Sequence, residues 1–166
     1  VNTELLTKEQ TLFDEQIKQT PIENIEQLPE MTDSRKLIAI KILSTLTACA
    51  FLLNNTVLMR LGVLRGLNLV LTAGKSDLAG SQLTWFAVLL VQQHDYARGA
   101  EVAEHAIKLL KYYPHAQELA GSYNVLAGLV LPIKQTYSEC SQQHKMAYEI
   151  GLENGEIARG VISLNN

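Results

Sequence analysis

Apolar residues recur at intervals of three and four along most of the chain, which is the periodicity of an amphipathic helix. The first such segment covers residues 3–20, and the sequence PIENIEQLPE at 21–30 then predicts an extended linker with one turn. The pattern resumes and predicts helices over about 33–50, 55–73, 76–93, 95–112, 116–131 and 136–154, and the start of another at 156–164. The hydrophobic pattern therefore predicts an all-α chain.

Residue types at the ends of these segments support the same boundaries. Side chains that favour helix N-termini stand at the starts, at Thr32, Asp33, Ser34, Asn54, Asn55, Ser76, Asp77 and Asp95. Glycine and proline, which end helices, stand at the other ends, at Gly74, Pro114, Pro132 and Gly155. Hydrophobic spacing and capping chemistry thus agree on where the helices begin and end.

An internal repeat groups the helices into pairs. The sequence LAGS at 78–81 recurs at 119–122, a shift of 41, and the same shift carries Tyr96 onto Tyr137. Repeats of this length are typical of stacked arrays, in which one unit cannot bury its apolar face alone. We therefore predict an α-solenoid of about three antiparallel helix pairs over 31–166, preceded by an N-terminal helix and linker over 1–30.

Small residues predict close packing between helices. Gly62 and Gly66 lie four apart on one predicted helix, and Gly99 and Ala103 do the same on a later one. Residues four apart share a helix face, so each pair offers a strip on which a neighbouring helix can approach closely.

Charge is distributed unevenly along the chain. Residues 1–30 carry seven acids and two lysines, whereas the remainder is nearly neutral and the net charge is −3. We interpret the acids of 1–30 as a solvated helix face and linker. A basic patch of the kind that binds nucleic acid is missing, so no nucleic-acid partner is expected.

The same sequence predicts a cytoplasmic protein. We identify no signal peptide and no apolar run of membrane-spanning length, and therefore expect no membrane partner. Cys49 and Cys140 lie in helical patterns and are expected to be buried free thiols of a reducing compartment.

Candidate catalytic and metal motifs are incomplete. Gly74-Lys75-Ser76 resembles the end of a phosphate-binding loop, but that loop requires a glycine where Leu69 stands. Glu101 and His105 share a helix face without a third ligand, so they predict a solvated face and no zinc site. His94-Asp95 is better explained by Asp95 as a helix cap. We therefore predict no catalytic residue, no metal and no cofactor, and a chain that is not itself an enzyme.

One candidate binding groove remains. First helices of stacked pairs line one face of the stack, where Gln82, Trp85 and Gln92 form a stripe, with Tyr123 and Asn124 in similar positions one pair later. A partly exposed tryptophan between polar residues suits a binding surface. The alternative is that Trp85 simply packs against an adjacent pair.

Several short sequences resemble a known type of protein region. They are LPEMTD at 28–33, Lys36-Leu37, Ile42-Leu43, the Gly-Lys-Ser junction at 74–76 and GLENG at 151–155. Together they resemble the tetratricopeptide-like helical-repeat region of large bacterial signalling proteins. Those proteins combine a serine/threonine kinase, an AAA-type or STAND-type ATPase, a GAF sensor and often a histidine kinase.

The resemblance implies a non-catalytic module for protein interaction or regulation within a bacterial signalling kinase. The expected partner is a protein or peptide, including adjacent domains of the same chain. Val1 in place of a starting methionine, and a helix that starts near 157 where a fourth pair would begin, favour a piece of a larger protein. Two other functions stay open: a passive spacer or homodimerisation element, and a sensor of small ligands.

Overall fold

The computed structural model describes residues 3–116 and 118–163, without the side chains of residues 158 and 159. The helices are α1 (Thr3–Gln19), α2 (Ser34–Leu52), α3 (Thr56–Ala73), α4 (Ala79–Gln92), α5 (Tyr96–Tyr112), α6 (Leu119–Leu129), α7 (Tyr137–Glu153) and α8 (Ile157–Ser163). Two short 3₁₀ helices, Ile22–Gln27 and Leu131–Ile133, follow α1 and α6. The predicted all-α fold is confirmed, whereas the predicted extended linker at 21–30 is wrong because most of it is helical.

The helices pack as consecutive antiparallel pairs. α2 packs on α3, α4 on α5, and α6 on α7. The first helices of the pairs are neighbours in space, because α4 contacts both α2 and α6. α8 contacts α6 and α7, which is the position of the first helix of a next pair. The predicted start of a helix at 156–164 is therefore confirmed, except for Leu164, which lies outside the described residues.

Side-chain caps start three of these helices, α2, α3 and α5, as predicted. Asp33 accepts a hydrogen bond from the backbone N–H of Arg35 at 2.9 Å, and Asn55 accepts one from Leu58 at 3.0 Å. Asp95 caps α5 in the same way, through the N–H of Arg98. Such caps satisfy backbone donors that the first turn of a helix leaves without partners.

The predicted cap at Ser76 and Asp77 is wrong. α4 begins only at Ala79, and no side chain caps it. The hydroxyl of Ser76 accepts instead from the N–H of Leu78 at 3.3 Å, in the turn before the helix. Lys75 exchanges backbone hydrogen bonds with the N-terminal segment: its N–H donates to Pro29 at 2.9 Å, and its carbonyl accepts from Met31 at 2.7 Å. This bridge keeps the chain extended and delays the start of the helix.

α4 lies at the centre of the core. Twelve of its 14 residues are buried, so it is covered on all sides, as expected of a helix packed among several others. α3 is apolar enough to cross a membrane by length and composition, contrary to the sequence expectation. Half of α3 is buried, and it packs on α1, α2 and α4, as the core helix of a folded stack does.

The N-terminal segment packs against the second helices of the pairs. α1 packs on α3, and the Phe13 ring meets Phe86 of α4 edge-on at 5.2 Å between ring centroids. The 3₁₀ helix Ile22–Gln27 packs on α5 through buried Ile22 and Ile25. Residues 1–30, as far as they are described, therefore share one hydrophobic core with the repeats.

Three of the seven acids of this segment, Glu9, Glu26 and Glu30, form ion pairs with the repeats, which corrects the expectation of a solvated face in part. Glu9 binds Arg65 of α3 at 2.8 Å. Glu26 binds His105 at 2.9 Å and Lys108 at 3.5 Å, both on α5, so the predicted solvated face of α5 is also partly covered. Exposed ion pairs contribute only about 0–1 kcal/mol each, so they add little to the stability of this packing.

Glycines on α3 and α4 permit close approach, as predicted for Gly62 and Gly66. A Cβ at Gly62 would overlap the hydroxyl of Thr47 on α2, and one at Gly66 would overlap the amide of Gln82 on α4. The two glycines therefore serve two different neighbours. Gly80 on α4 has the same role toward α5, where an added Cβ would stand 2.9 Å from Cγ of Leu110.

Alanine at Gly80 should destabilise the chain by about 1–2 kcal/mol, because overpacking outweighs the gain in helix propensity. Gly128 is the matched control: it is exposed on α6, and an added Cβ would lie 3.7 Å from the nearest atom, in ordinary contact. Gly128→Ala should therefore stabilise by about 0.5–1 kcal/mol. Urea unfolding of both variants checks the signs, and equal signs would contradict close packing at Gly80.

Candidate binding groove on the first helices

A groove of about 390 Å³ runs between the first helices of the three pairs. α2, α4 and α6 each contribute to its walls, and α8 contributes Ile162. The lining is mostly apolar, and the residues that form it are Thr45, Ala48, Cys49, Phe51, Leu52, Ser81, Trp85, Glu118, Gly121, Ser122, Asn124, Val125 and Ile162. A mostly apolar concavity with a few placed polar groups has the composition of a ligand site.

A carboxylate joins the three walls of this groove. Glu118, which precedes α6, accepts hydrogen bonds on one oxygen from the hydroxyls of Ser44 at 2.5 Å and Ser81 at 3.1 Å. The two serines are buried, on α2 and α4, and their hydroxyl oxygens lie 3.2 Å apart. The Glu118 side chain is thus fixed by residues of two other pairs.

The backbone at Glu118 makes this reach possible. Its φ is 70°, a left-handed conformation that side-chain-bearing residues adopt infrequently. Although Glu118 stands at the N-cap of α6, its side chain makes no cap hydrogen bond and turns toward α2 and α4 instead. Strained residues of this kind persist where the surrounding contacts hold them.

Of the five residues predicted for the groove, Trp85 and Asn124 line it. Trp85 is only 7% exposed, because its ring packs on Phe51 of α2 at 5.2 Å between centroids. The alternative that Trp85 packs against an adjacent pair is therefore correct, and the ring lines the groove without the partial exposure that the binding alternative assumed. The amide oxygen of Asn124 accepts a hydrogen bond at 2.7 Å from Nδ1 of His144 on α7, which fixes the amide in the wall.

Gln82, Gln92 and Tyr123 do not line the groove. A residue three positions from Trp85 is rotated by about 60° around the helix, and this places Gln82 against Gly66 of α3, fully buried. Gln92 is exposed at the end of α4, about 10 Å along the helix axis from Trp85. Tyr123 points into the core, where burial raises the pKa of its hydroxyl.

The expectation of two buried thiols is half correct. Cys140 is buried, but Cys49 is exposed and lines the groove. Cys49 lies on α2 and Cys140 on α7, and the helical pattern of the sequence does not distinguish the exposed thiol from the buried one. The exposed thiol of Cys49 can be labelled chemically inside the groove. The fluorescence of Trp85, the only tryptophan of the chain, can report on changes there.

His144 gives the wall at Asn124 a pH dependence. Burial lowers the pKa of His144 below its ordinary value of 6.5, so the folded chain favours the neutral imidazole. Below that value the unfolded chain takes up a proton that the folded chain resists, and stability falls as the pH falls. His144→Gln should therefore lose less unfolding free energy between pH 7.5 and 5.5 than the unaltered chain. An equal loss in both would contradict the buried neutral imidazole.

Within residues 3–116 and 118–163, no three His, Cys, Asp or Glu side chains stand together as a metal site. Comparison with known proteins found no family model, no curated protein and no solved structure that matches this chain. The resemblance to bacterial signalling kinases therefore stays a prediction.

Proposed function

We propose that this chain is a helical-repeat interaction module that binds an extended peptide segment of a partner protein in the groove between α2, α4 and α6. One observation carries the proposal: corresponding helices of three successive pairs form a single mostly apolar concavity. Stacked repeats use such continuous surfaces to recognise extended ligands.

The chemistry of the lining favours binding over catalysis. Acid–base or nucleophilic catalysis needs several titratable groups within hydrogen-bonding reach of one another. The described lining offers one carboxylate, at Glu118, and one thiol, at Cys49. The carboxylate is engaged by the hydroxyls of Ser44 and Ser81, which fix its orientation.

The resemblance extends the proposal to a cytoplasmic bacterial signalling kinase, in which occupation of the groove would shift the positions of neighbouring catalytic domains. Adjacent domains of the same chain are then candidate occupants. The coding sequence on either side of this chain tests that context. An ATPase phosphate loop upstream, or a GAF or histidine kinase domain downstream, is expected, and unrelated flanking domains would contradict it.

Selection from a displayed library of random dodecapeptides tests the binding function. The selected peptides are then tested against the variant Cys49→Trp. Its indole should fill the groove, because Cys49 is exposed there and does not belong to the core. Ser141→Trp is the matched control, since Ser141 is exposed on α7 and does not line the groove. We expect peptides that bind the unaltered chain and Ser141→Trp but not Cys49→Trp. Failure to enrich any such peptide would refute the proposal.

A second candidate, homodimerisation, is favoured by the outer face of α2. Ile38 and Ile42 are both about 60% exposed there, and apolar side chains exposed together are typical of interfaces. Sedimentation equilibrium of the chain and of the double variant Ile38→Glu, Ile42→Glu discriminates between the two. A dimer that the double variant loses would support this candidate, and a monomer at every concentration would exclude it.

A further inference from the structure

The hydroxyl groups of the groove wall differ in whether the folded chain already gives them a hydrogen-bond partner. Thr45 donates to a backbone carbonyl of its own helix at 3.2 Å, and Ser81 donates to Glu118 at 3.1 Å. Ser122 also lines the groove and is only 4% exposed, yet its hydroxyl makes no hydrogen bond in the described part of the chain.

A buried hydroxyl without a partner favours an occupant that can hydrogen-bond it. Nearly all buried polar groups of native proteins are paired, because an unpaired group loses its bonds to water and gains none in return. Ser122 belongs to the wall, so a side chain bound in the groove can reach it. The occupant should therefore carry a polar atom among mostly apolar ones.

The apolar part of the wall is suited to an aromatic ring. Phe51 and Trp85 contact each other at 5.2 Å between ring centroids, and both line the groove together with Ala48 and Val125. Aromatic rings attract one another in tilted and offset arrangements beyond the effect of the buried area. They also bury a large surface for few rotatable bonds, which lowers the entropy cost of binding.

We infer that the bound peptide is anchored by a tyrosine or a tryptophan, whose ring lies against Phe51 and Trp85 and whose O–H or N–H hydrogen-bonds Ser122. This inference rests on the proposed function and names the chemistry of its ligand. Tyrosine and tryptophan combine an apolar body with one polar atom, and a serine hydroxyl accepts from either. Phenylalanine or leucine would fill the same space and leave Ser122 unpaired.

The exposed rim argues for a peptide over a small free phenol or indole. Leu52 is 81% exposed and Ile162 is 54% exposed, and both line the groove. A small molecule beside Ser122 would leave these two side chains in water. Residues that flank the anchor of a peptide would cover them, and burial of apolar surface is the main favourable term in such association.

The library selection supplies the first test. We expect the peptides that Cys49→Trp fails to bind to share a tyrosine or a tryptophan. Enriched peptides that share neither would overturn this inference and leave the proposed function standing. A selection that enriches nothing would overturn the proposed function itself.

A cycle of changes in the peptide and in the chain supplies the second test, with affinity measured by anisotropy of a fluorescein on the best selected peptide. Phenylalanine replaces its anchor tyrosine, or benzothienylalanine, which has sulfur in place of the N–H, replaces its anchor tryptophan. Either change should weaken binding to the unaltered chain by roughly three- to tenfold, the effect of one neutral hydrogen bond.

Ser122→Ala should weaken binding of the original peptide by a similar factor and should bind both peptides equally, because the same hydrogen bond is lost in each case. Ser141→Ala, the same change at an exposed position on α7, should preserve the difference between the peptides. A Ser122→Ala chain that still discriminates between the peptides would overturn the inference, as would an unaltered chain that does not discriminate.

Two further measurements separate binding from folding. Urea unfolding of Ser122→Ala should show no loss of stability, and a clear loss would show that the folded chain itself uses the hydroxyl, which would overturn the inference. With the unaltered chain, p-cresol and 3-methylindole, the side chains of tyrosine and tryptophan, should compete far more weakly than the peptide. Competition by either at peptide-like concentrations would contradict a peptide ligand.

Discussion

Phe13→Ala should lower the free energy of unfolding by about 3 kcal/mol, the loss typical of a buried phenylalanine. Phe13 is 4% exposed and packs its ring against Phe86 of α4, the helix at the centre of the core. Truncation would leave a cavity between α1 and α4 that the surrounding helices can close only in part. The expected loss is large because the N-terminal segment is part of the core and is not an appended linker.

Leu12→Ala is the matched control for this prediction. Leu12 is the neighbouring residue on α1 but is 40% exposed, so its truncation should cost less than about 1 kcal/mol. Urea unfolding monitored by circular dichroism measures both variants. Similar small effects of the two substitutions would show that residues 1–30 do not share the core of the repeats.

Leu83→Ala should lower the free energy of unfolding by about 3 to 4 kcal/mol. Leu83 is 0% exposed on α4, which packs on α2, α3, α5 and α6. The substitution therefore removes packing from the helix that contacts all three pairs. Because stacked repeats are stabilised by contacts between neighbours, we expect the whole chain to unfold at a lower denaturant concentration.

Leu53→Ala provides the comparison, since Leu53 is 77% exposed at the end of α2 and should change stability by less than about 0.5 kcal/mol. The same residue type is truncated in both variants, so burial alone separates the results. A loss at Leu83 as small as that at Leu53 would contradict the central position of α4. Two separate unfolding transitions in the Leu83 variant would contradict a single cooperative stack.

Most helix boundaries could be predicted because their causes are local. Asn55 and Asp95 cap the helices that begin beside them, and Gly74 ends α3 with a φ of 104° that glycine adopts without strain. The boundary at Ser76 failed because its cause is not local. There Lys75 pairs with the backbone of Pro29 and Met31, and no nearby residue signals that contact.

The electrostatics of the N-terminal segment could not be predicted for a similar reason. The composition of residues 1–30 shows an excess of acids but not which side chains they meet. Glu26 reaches His105 and Lys108 only because the 3₁₀ helix packs on α5. Composition gives the number of charged residues in a segment, whereas the ion pairs they form depend on which helices the segment packs against.

The position of the candidate groove was predicted in part. The internal repeat alone identifies the first helices of the pairs and so places the groove on them. Trp85 and Asn124 lie on these helices, which is why both were predicted correctly as lining residues. Gln82 was misplaced because α4 is buried all round, so a polar residue on it need not face solvent. Glu118 was missed because its role depends on a left-handed backbone and on serines that belong to two other pairs. Only Ser81, in the repeated LAGS sequence, carried a signal that could have pointed there.

The central claim is that the face formed by α2, α4 and α6 is the binding surface of this chain. A map of backbone amide chemical shifts, recorded while the ¹⁵N-labelled chain is titrated with the best selected peptide, tests it most directly. We predict that the largest changes cluster at Thr45, Cys49, Ser81, Ser122 and Val125, which line the groove on all three helices. Changes confined to α3, α5 and the N-terminal segment would contradict the claim.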